Sequence, residues 1–192
     1  MSTKLTKLLL SGLSVFTLDD LGIIWGQKNR STTRQSARDY AQSGDLVRLH
    51  QGVYCLPNST PDRFLLANKL LAPSYVTGLS VLVKAGLSYQ YTDRIFSVAS
   101  YNKSIQTAEG EFVYSQVKSS ILFNPLGILN TNQTSVASSE RAVTDLIYLS
   151  KGRYSLEKFG ELNLDLLIDY AKIYNRSYVE AAVQKIREDY AG

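Results

Sequence analysis

The sequence predicts an α+β fold, with an N-terminal winged helix-turn-helix followed by a mixed α+β domain that holds a small sheet. Three features carry that reading: a helix start capped by Thr17, an arginine-bearing helix that stops at Gly44, and two β-prone runs folded back around Gly52. Helix, turn, helix and hairpin in that order, with arginine on the second helix of the pair, is the arrangement that presents a helix to duplex DNA.

Each element has a local cause. Leu5, Leu8, Leu9 and Leu13 form an amphipathic stripe, so the N-terminal run is read as a first helix. Two lysines ahead of the leucines imitate a signal peptide. Ser11, Gly12 and Ser14 interrupt the apolar stretch, however, no small-x-small cleavage site follows, and Asp19-Asp20 arrives at once. Thr17 with Asp20 three residues on makes a capping box, and Phe16 and Leu21 fall where a hydrophobic staple places them, so the next helix begins at Leu18. The third helix is expected after Ser31 as its cap, with Thr33, Ala37, Tyr40 and Ala41 on the inner face. Gly44 supplies the stop. Arg34, Gln35, Arg38 and Gln42 then point outward. Arg34 and Arg38 lie one turn apart with the same charge, which costs roughly 0.2 to 0.5 kcal/mol in an isolated helix unless an anion faces them. Strands over 46–49 and 53–56 complete a hairpin that turns through His50-Gln51-Gly52.

Charge concentrates in this region. Residues 1–56 hold 7 Lys or Arg and 4 Asp, net +3, whereas residues 57–192 hold 14 and 13, net +1. Such a footprint suits a polyanion. Arg and Gln also make paired hydrogen bonds to guanine and adenine edges, so Arg34, Gln35 and Arg38 are the expected base readers. Lys28, Asn29, Arg30, Ser31 and Thr32 at the helix start, and Arg48, His50 and Gln51 of the hairpin, are the expected backbone contacts. The competing reading is a small module with an ordinary solvated basic face, in which the winged domain binds protein and DNA binding is incidental.

Pro57-Asn58-Ser59-Thr60-Pro61 is the best boundary in the chain, dividing a DNA-binding domain over 1–56 from an α+β partner-binding domain over 62–192. The second domain reads as helices over 62–71 and 77–85 around a break at Pro73, strands over 94–100 and 111–118, and a short strand over 121–123. Helices follow over 139–149 and 164–174, and a last one is opened by Ser177 with Glu180 as a capping box. The run 130–135 reads as a polar loop.

Composition excludes several classes. With 44% hydrophobic and 20% charged residues the chain is globular, and no stretch reaches the roughly 18 apolar residues of a membrane span. The single Cys55 rules out an internal disulfide, is expected to be a small buried side chain, and suits a reducing cytoplasm. One His and one Cys leave no zinc or HExxH spacing, and no phosphate loop, GxGxxG turn or GxSxG elbow occurs, so neither enzyme activity nor a cofactor is expected. Asp19-Asp20 and Asp165 to Asp169 could hold Mg²⁺, but serve better as first-turn and polar-face residues of helices. Ser138-Ser139-Glu140-Arg141-Ala142-Val143-Thr144-Asp145-Leu146 is a capped helix start in which Arg141 and Asp145 form an exposed pair that contributes little.

The succession Gly44-Asp45-Leu46-Val47-Arg48-Leu49-His50-Gln51-Gly52-Val53-Tyr54, then Tyr75-Val76-Thr77-Gly78-Leu79-Ser80-Val81-Leu82 with Ala85-Gly86-Leu87, then Ser139 to Leu146, resembles the AbiEi-type antitoxins of type IV toxin-antitoxin systems. The resemblance spans about residues 14–150. It implies a winged helix that binds inverted repeats in its own promoter and a C-terminal domain that antagonises a nucleotidyltransferase-like toxin. The family often has His where this chain has Ala85, and the region after Lys151 matches nothing in it. Eleven of the 13 tyrosines lie beyond residue 56, and fewer than half are assigned to a partner surface, the rest to the core.

Overall fold

The computed structural model describes residues 3–90, 92–131, 133–154 and 162–191, the last two of these in backbone only. Two sheets and a set of helices form a mixed α+β architecture.

The first unit begins with α1 (Thr3–Leu10), then β1 (Phe16–Thr17), α2 (Leu18–Trp25), α3 (Arg30–Gln42), β2 (Val47–His50) and β3 (Val53–Cys55). The capping box forms as the sequence requires: the Thr17 amide donates to Asp20 Oδ2 at 2.8 Å and the Asp20 amide to Thr17 Oγ1 at 3.1 Å. Phe16 and Leu21 are fully buried beside it. The expected cap at Ser31 is corrected. Asn29 caps α3, its side chain accepting from the Ser31 amide at 2.9 Å and from Ser31 Oγ at 2.7 Å, so the helix starts two residues earlier and includes Arg30. Thr33 and Ala37 are buried, Tyr40 and Ala41 half-buried. The hairpin is also tighter than expected, because His50 belongs to β2 and pairs with Val53, leaving Gln51-Gly52 as the turn. Gly52 takes φ +75°, a conformation that a side chain would strain. Register slips at Leu49, a bulge between Arg48 and His50, and β1 adds a third strand beside β3.

The second unit runs α4 (Arg63–Leu70), β4 (Ser74–Val76), α5 (Leu79–Lys84), β5 (Arg94–Ala99), β6 (Lys103–Thr107), β7 (Gly110–Gln116), α6 (Ser119–Leu122), β8 (Ile128–Thr131), β9 (Thr134–Ala137), α7 (Ser139–Leu149), α8 (Leu164–Ala171), a 3-10 turn (Lys172–Tyr174) and α9 (Ser177–Ala191). The strands join in the order β6-β7-β5-β4-β9-β8, with β5–β7 and β4–β9 parallel and the rest antiparallel. Register aligns Val76, Ser97 and Tyr114 on one face, where the Tyr114 hydroxyl donates to the Ala67 carbonyl of α4 at 2.7 Å. Tyr75 and Thr77 lie on the other face and hydrogen-bond to Asp145 of α7. Helices therefore cover both faces of the sheet.

Three expectations for this unit are corrected. Residues 121–123 do not form a strand: Ile121 and Leu122 close a single helical turn on the Lys118 carbonyl at 2.9 Å. The polar run 130–135 is not a free loop, since Asn130, Thr131, Thr134 and Ser135 are paired strand residues of β8 and β9. The Arg141–Asp145 pair is not exposed. Both residues have no accessible surface, and Arg141 Nε lies 3.6 Å from Asp145 Oδ1. The guanidinium donates to the carbonyls of Leu126 at 2.9 Å and Ile121 at 2.8 Å and to the Tyr75 hydroxyl at 3.0 Å. Asp145 accepts from Tyr174 at 2.6 Å, Thr77 at 2.7 Å and Tyr75 at 3.1 Å. Burial pushes the Asp145 carboxyl up from its usual range, opposed by Arg141 and the three hydroxyls. At Gly127, φ +72°, a Cβ would meet Tyr170 Cε2 at 2.7 Å and Arg141 Cβ at 2.8 Å, so only glycine lets this loop close over the pair. The capping Ser expected for the last helix is its first residue, with the Arg176 carbonyl accepting the amides of Val179 and Glu180.

The two units share contacts. A small core gathers Leu8, Phe16, Leu21, Trp25, Ala37 and Tyr54, while Val15 and Val53 belong to the larger core of the second unit. Cys55 is buried, and burial pushes its thiol up. No helix among the described residues is long and apolar enough to cross a membrane.

Candidate functional site

α3 places Arg30, Arg34 and Arg38 at successive turns of one face. All three line a cleft of about 480 Å³ between α3, the start of α2, the β2–β3 hairpin and α4. Arg48 and Gln51 enter from the hairpin and Lys69 from α4. Five cations thus face one cavity, against the single lining carboxylate of Asp19. Asp19 pairs with Arg30 at 3.4 Å, an exposed contact of little worth. Among the described residues Arg34, Arg38 and Arg48 make no ion pair. Arg48 Nε donates to the His50 carbonyl at 3.3 Å, which holds the side chain along the hairpin edge.

Of the residues expected from sequence, Arg30, Arg34, Arg38, Arg48 and Gln51 come together in the cleft, and the others do not line it. Asn29 and Ser31 are engaged in the helix cap. Gln35 is exposed on another face and donates to Asp39 at 2.8 Å, so it does not share the cleft with Arg34 and Arg38. Lys28 and Thr32 are exposed and His50 is half-buried, all outside the cavity.

Lys69 was not legible as a site residue. It sits beyond the expected domain boundary, on a helix where one lysine reads as solvated surface. Its Nζ donates to both carboxylate oxygens of Asp20 at 2.9 Å and to Gln133 Oε1 at 2.8 Å. The clasp holds α4 against α2 and brings a second-unit cation to the rim of the cleft.

What this arrangement can do chemically is bind, through cations, a ligand with several negative charges at spacings of one helical turn. Among the described residues no group of three or more His, Cys, Asp or Glu is placed to hold a metal ion. Compared with family models and with curated proteins, the chain matches none.

Proposed function

We propose that the chain binds duplex DNA through a winged helix-turn-helix over residues 1–56, with α3 as the recognition helix and the β2–β3 hairpin as the wing, and acts as a transcriptional repressor. One observation carries the reading: Arg34, Arg38 and Arg48 converge on a single cleft without ion-pair partners. Like charges one turn apart destabilise a helix unless a polyanion faces them. Arg34 and Arg38 read base edges, whereas Arg30, Arg48 and Lys69 contact phosphates.

The reading extends to the resemblance to AbiEi-type antitoxins, under which residues 62–192 antagonise a nucleotidyltransferase-like toxin encoded beside this chain. The reading assigns no catalytic step to the protein. A gel-shift titration on the upstream region of its own gene tests it. Arg38→Ala should cost roughly 1 to 3 kcal/mol on the promoter and much less on random DNA. Equal losses on both would make Arg38 a phosphate contact, and no binding of the parent chain to either would remove the repressor reading.

A further inference from the structure

From Ser119 to Ser138 the chain carries no Asp, Glu, Lys, Arg or His over twenty residues, against about four expected at its 20% charged composition. The fold turns this neutral run into one end of the six-stranded sheet. β8 is the terminal strand, with Leu129, Asn130 and Thr131 exposed. Leu129 is 55% exposed, and in the preceding segment Phe123 is 66% and Leu126 53% exposed. On the face opposite Leu129, Ile128 and Asn130 border a cavity of about 240 Å³ whose lining residues are all uncharged, Phe123 and Pro125 among them.

An uncovered strand edge offers unpaired backbone amides and carbonyls, and soluble proteins usually guard it with charge or proline. The opposite edge strand β6 has Lys103 as its first residue. β8 has no such guard. We infer that β8 pairs antiparallel with β8 of a second copy of this chain, joining the two sheets across a two-fold axis with Phe123, Leu126 and Leu129 covered at the seam.

Charge selects the occupant. In an isologous contact the same patch meets itself, so any charge near the axis would face its own duplicate, and a patch without charge is the one that can self-associate freely. A partner recognised through acidic or basic groups has nothing here to pair with. Two-fold pairing also uses up each copy's neutral edge, so assembly stops at the dimer. The inference is independent of the DNA reading.

Sedimentation of the full chain over low to high micromolar concentration tests it. The result expected is a monomer–dimer equilibrium whose dissociation constant is insensitive to salt between about 0.1 and 0.5 M. Leu129→Lys and Phe123→Lys, both on exposed positions, should weaken it by at least about tenfold, or 1.4 kcal/mol. A parent chain that stays monomeric overturns the inference, whether or not some other protein is then found on this edge. So does a dimer that salt dissolves or that Leu129→Lys leaves intact. If a lysine variant loses its circular-dichroism spectrum, Asn130→Cys keeps the question open to measurement, since Cys55 is buried and the new thiol is the accessible one. Nitroxide labels there should lie within about 20 Å of each other between copies, as on adjacent strands. The absence of any intermolecular distance overturns the pairing.

Discussion

Lys69 Nζ sits 2.9 Å from both oxygens of Asp20, the carboxylate that also completes the cap of α2. The contact is mostly enclosed, with side chains 13% and 17% exposed. One acid therefore ends a helix, anchors the second unit and offsets a cation at the cleft rim. Lys69→Ala should destabilise the fold by about 1 to 3 kcal/mol, because a charged hydrogen-bonding group loses its partner. It should also make the slope of log affinity for DNA against log salt about 0.9 less steep. Calorimetry and a salt titration check the two effects separately; an unchanged melting temperature would show that the clasp is not structural.

Arg34 and Arg38 should behave in the opposite sense. Changing either to Gln removes like-charge repulsion along α3, so the free protein is expected to be as stable as the parent or more so by roughly 0.2 to 0.5 kcal/mol. DNA affinity should fall all the same. Loss of stability together with affinity would mean that these arginines hold the fold rather than the ligand.

At the Arg141–Asp145 pair, Arg141→Met alone should cost about 3 to 5 kcal/mol, since it leaves a buried carboxylate without its cation. For a chain of this size that lowers the melting temperature by about 6 °C or more. Asp145→Leu alone should be comparably harmful, and the double variant less harmful than the two costs added together. Strict additivity would contradict the coupling between them.

Tyr75, Tyr114 and Tyr174 all have hydroxyls pushed above the usual value of 10.0, chiefly by burial and, for Tyr75 and Tyr174, by the adjacent Asp145. Their folded state favours the neutral phenol. The stability this gives is fully present below pH 10 and is lost as pH rises above it, where the unfolded chain ionises first. Tyrosinate absorbance from these three should therefore emerge together with unfolding and not before. Their ionisation in a chain that keeps its native circular dichroism would contradict their burial.

Much of the fold was legible wherever a cause is local. The Thr17–Asp20 box fixes the start of α2 at Leu18, and the Ser138 cap fixes α7 at Ser139–Leu149, within one residue each. At α3 two cap-forming residues, Asn29 and Ser31, stand two apart, and local propensity does not choose between them; burial of Thr33 and Ala37 does. β1, β4, β6, β8 and β9 escaped notice because they are short, and β8 and β9 are rich in Asn, Ser and Thr, so their pairing rests on distant partners rather than on a period-two pattern. The i,i+4 spacing of Arg141 and Asp145 is the same on any helix face, and only the packing of the 121–127 loop and Tyr174 against α7 buries it. In the site, the arginine ladder was readable from spacing. Lys69 was not, because no local signal ties residue 69 to residue 20.

Among the expected tyrosine contacts, Tyr89 and Tyr101 are the strongly exposed ones and Tyr75, Tyr114 and Tyr174 the buried ones; Tyr91 lies outside the described residues, as does the Tyr190 side chain.

The central claim, that the cleft of α3, the hairpin and Lys69 is a surface for duplex DNA, is tested most directly by the salt dependence of binding to a non-specific duplex. Contact through three to five of its cations should give a slope of log affinity against log salt between about −2.7 and −4.5, and replacing Arg34, Arg38 and Arg48 together by Gln should bring it close to zero. A parent chain that fails to bind duplex DNA even at low salt, or a triple variant that binds with the parent's slope, would contradict it.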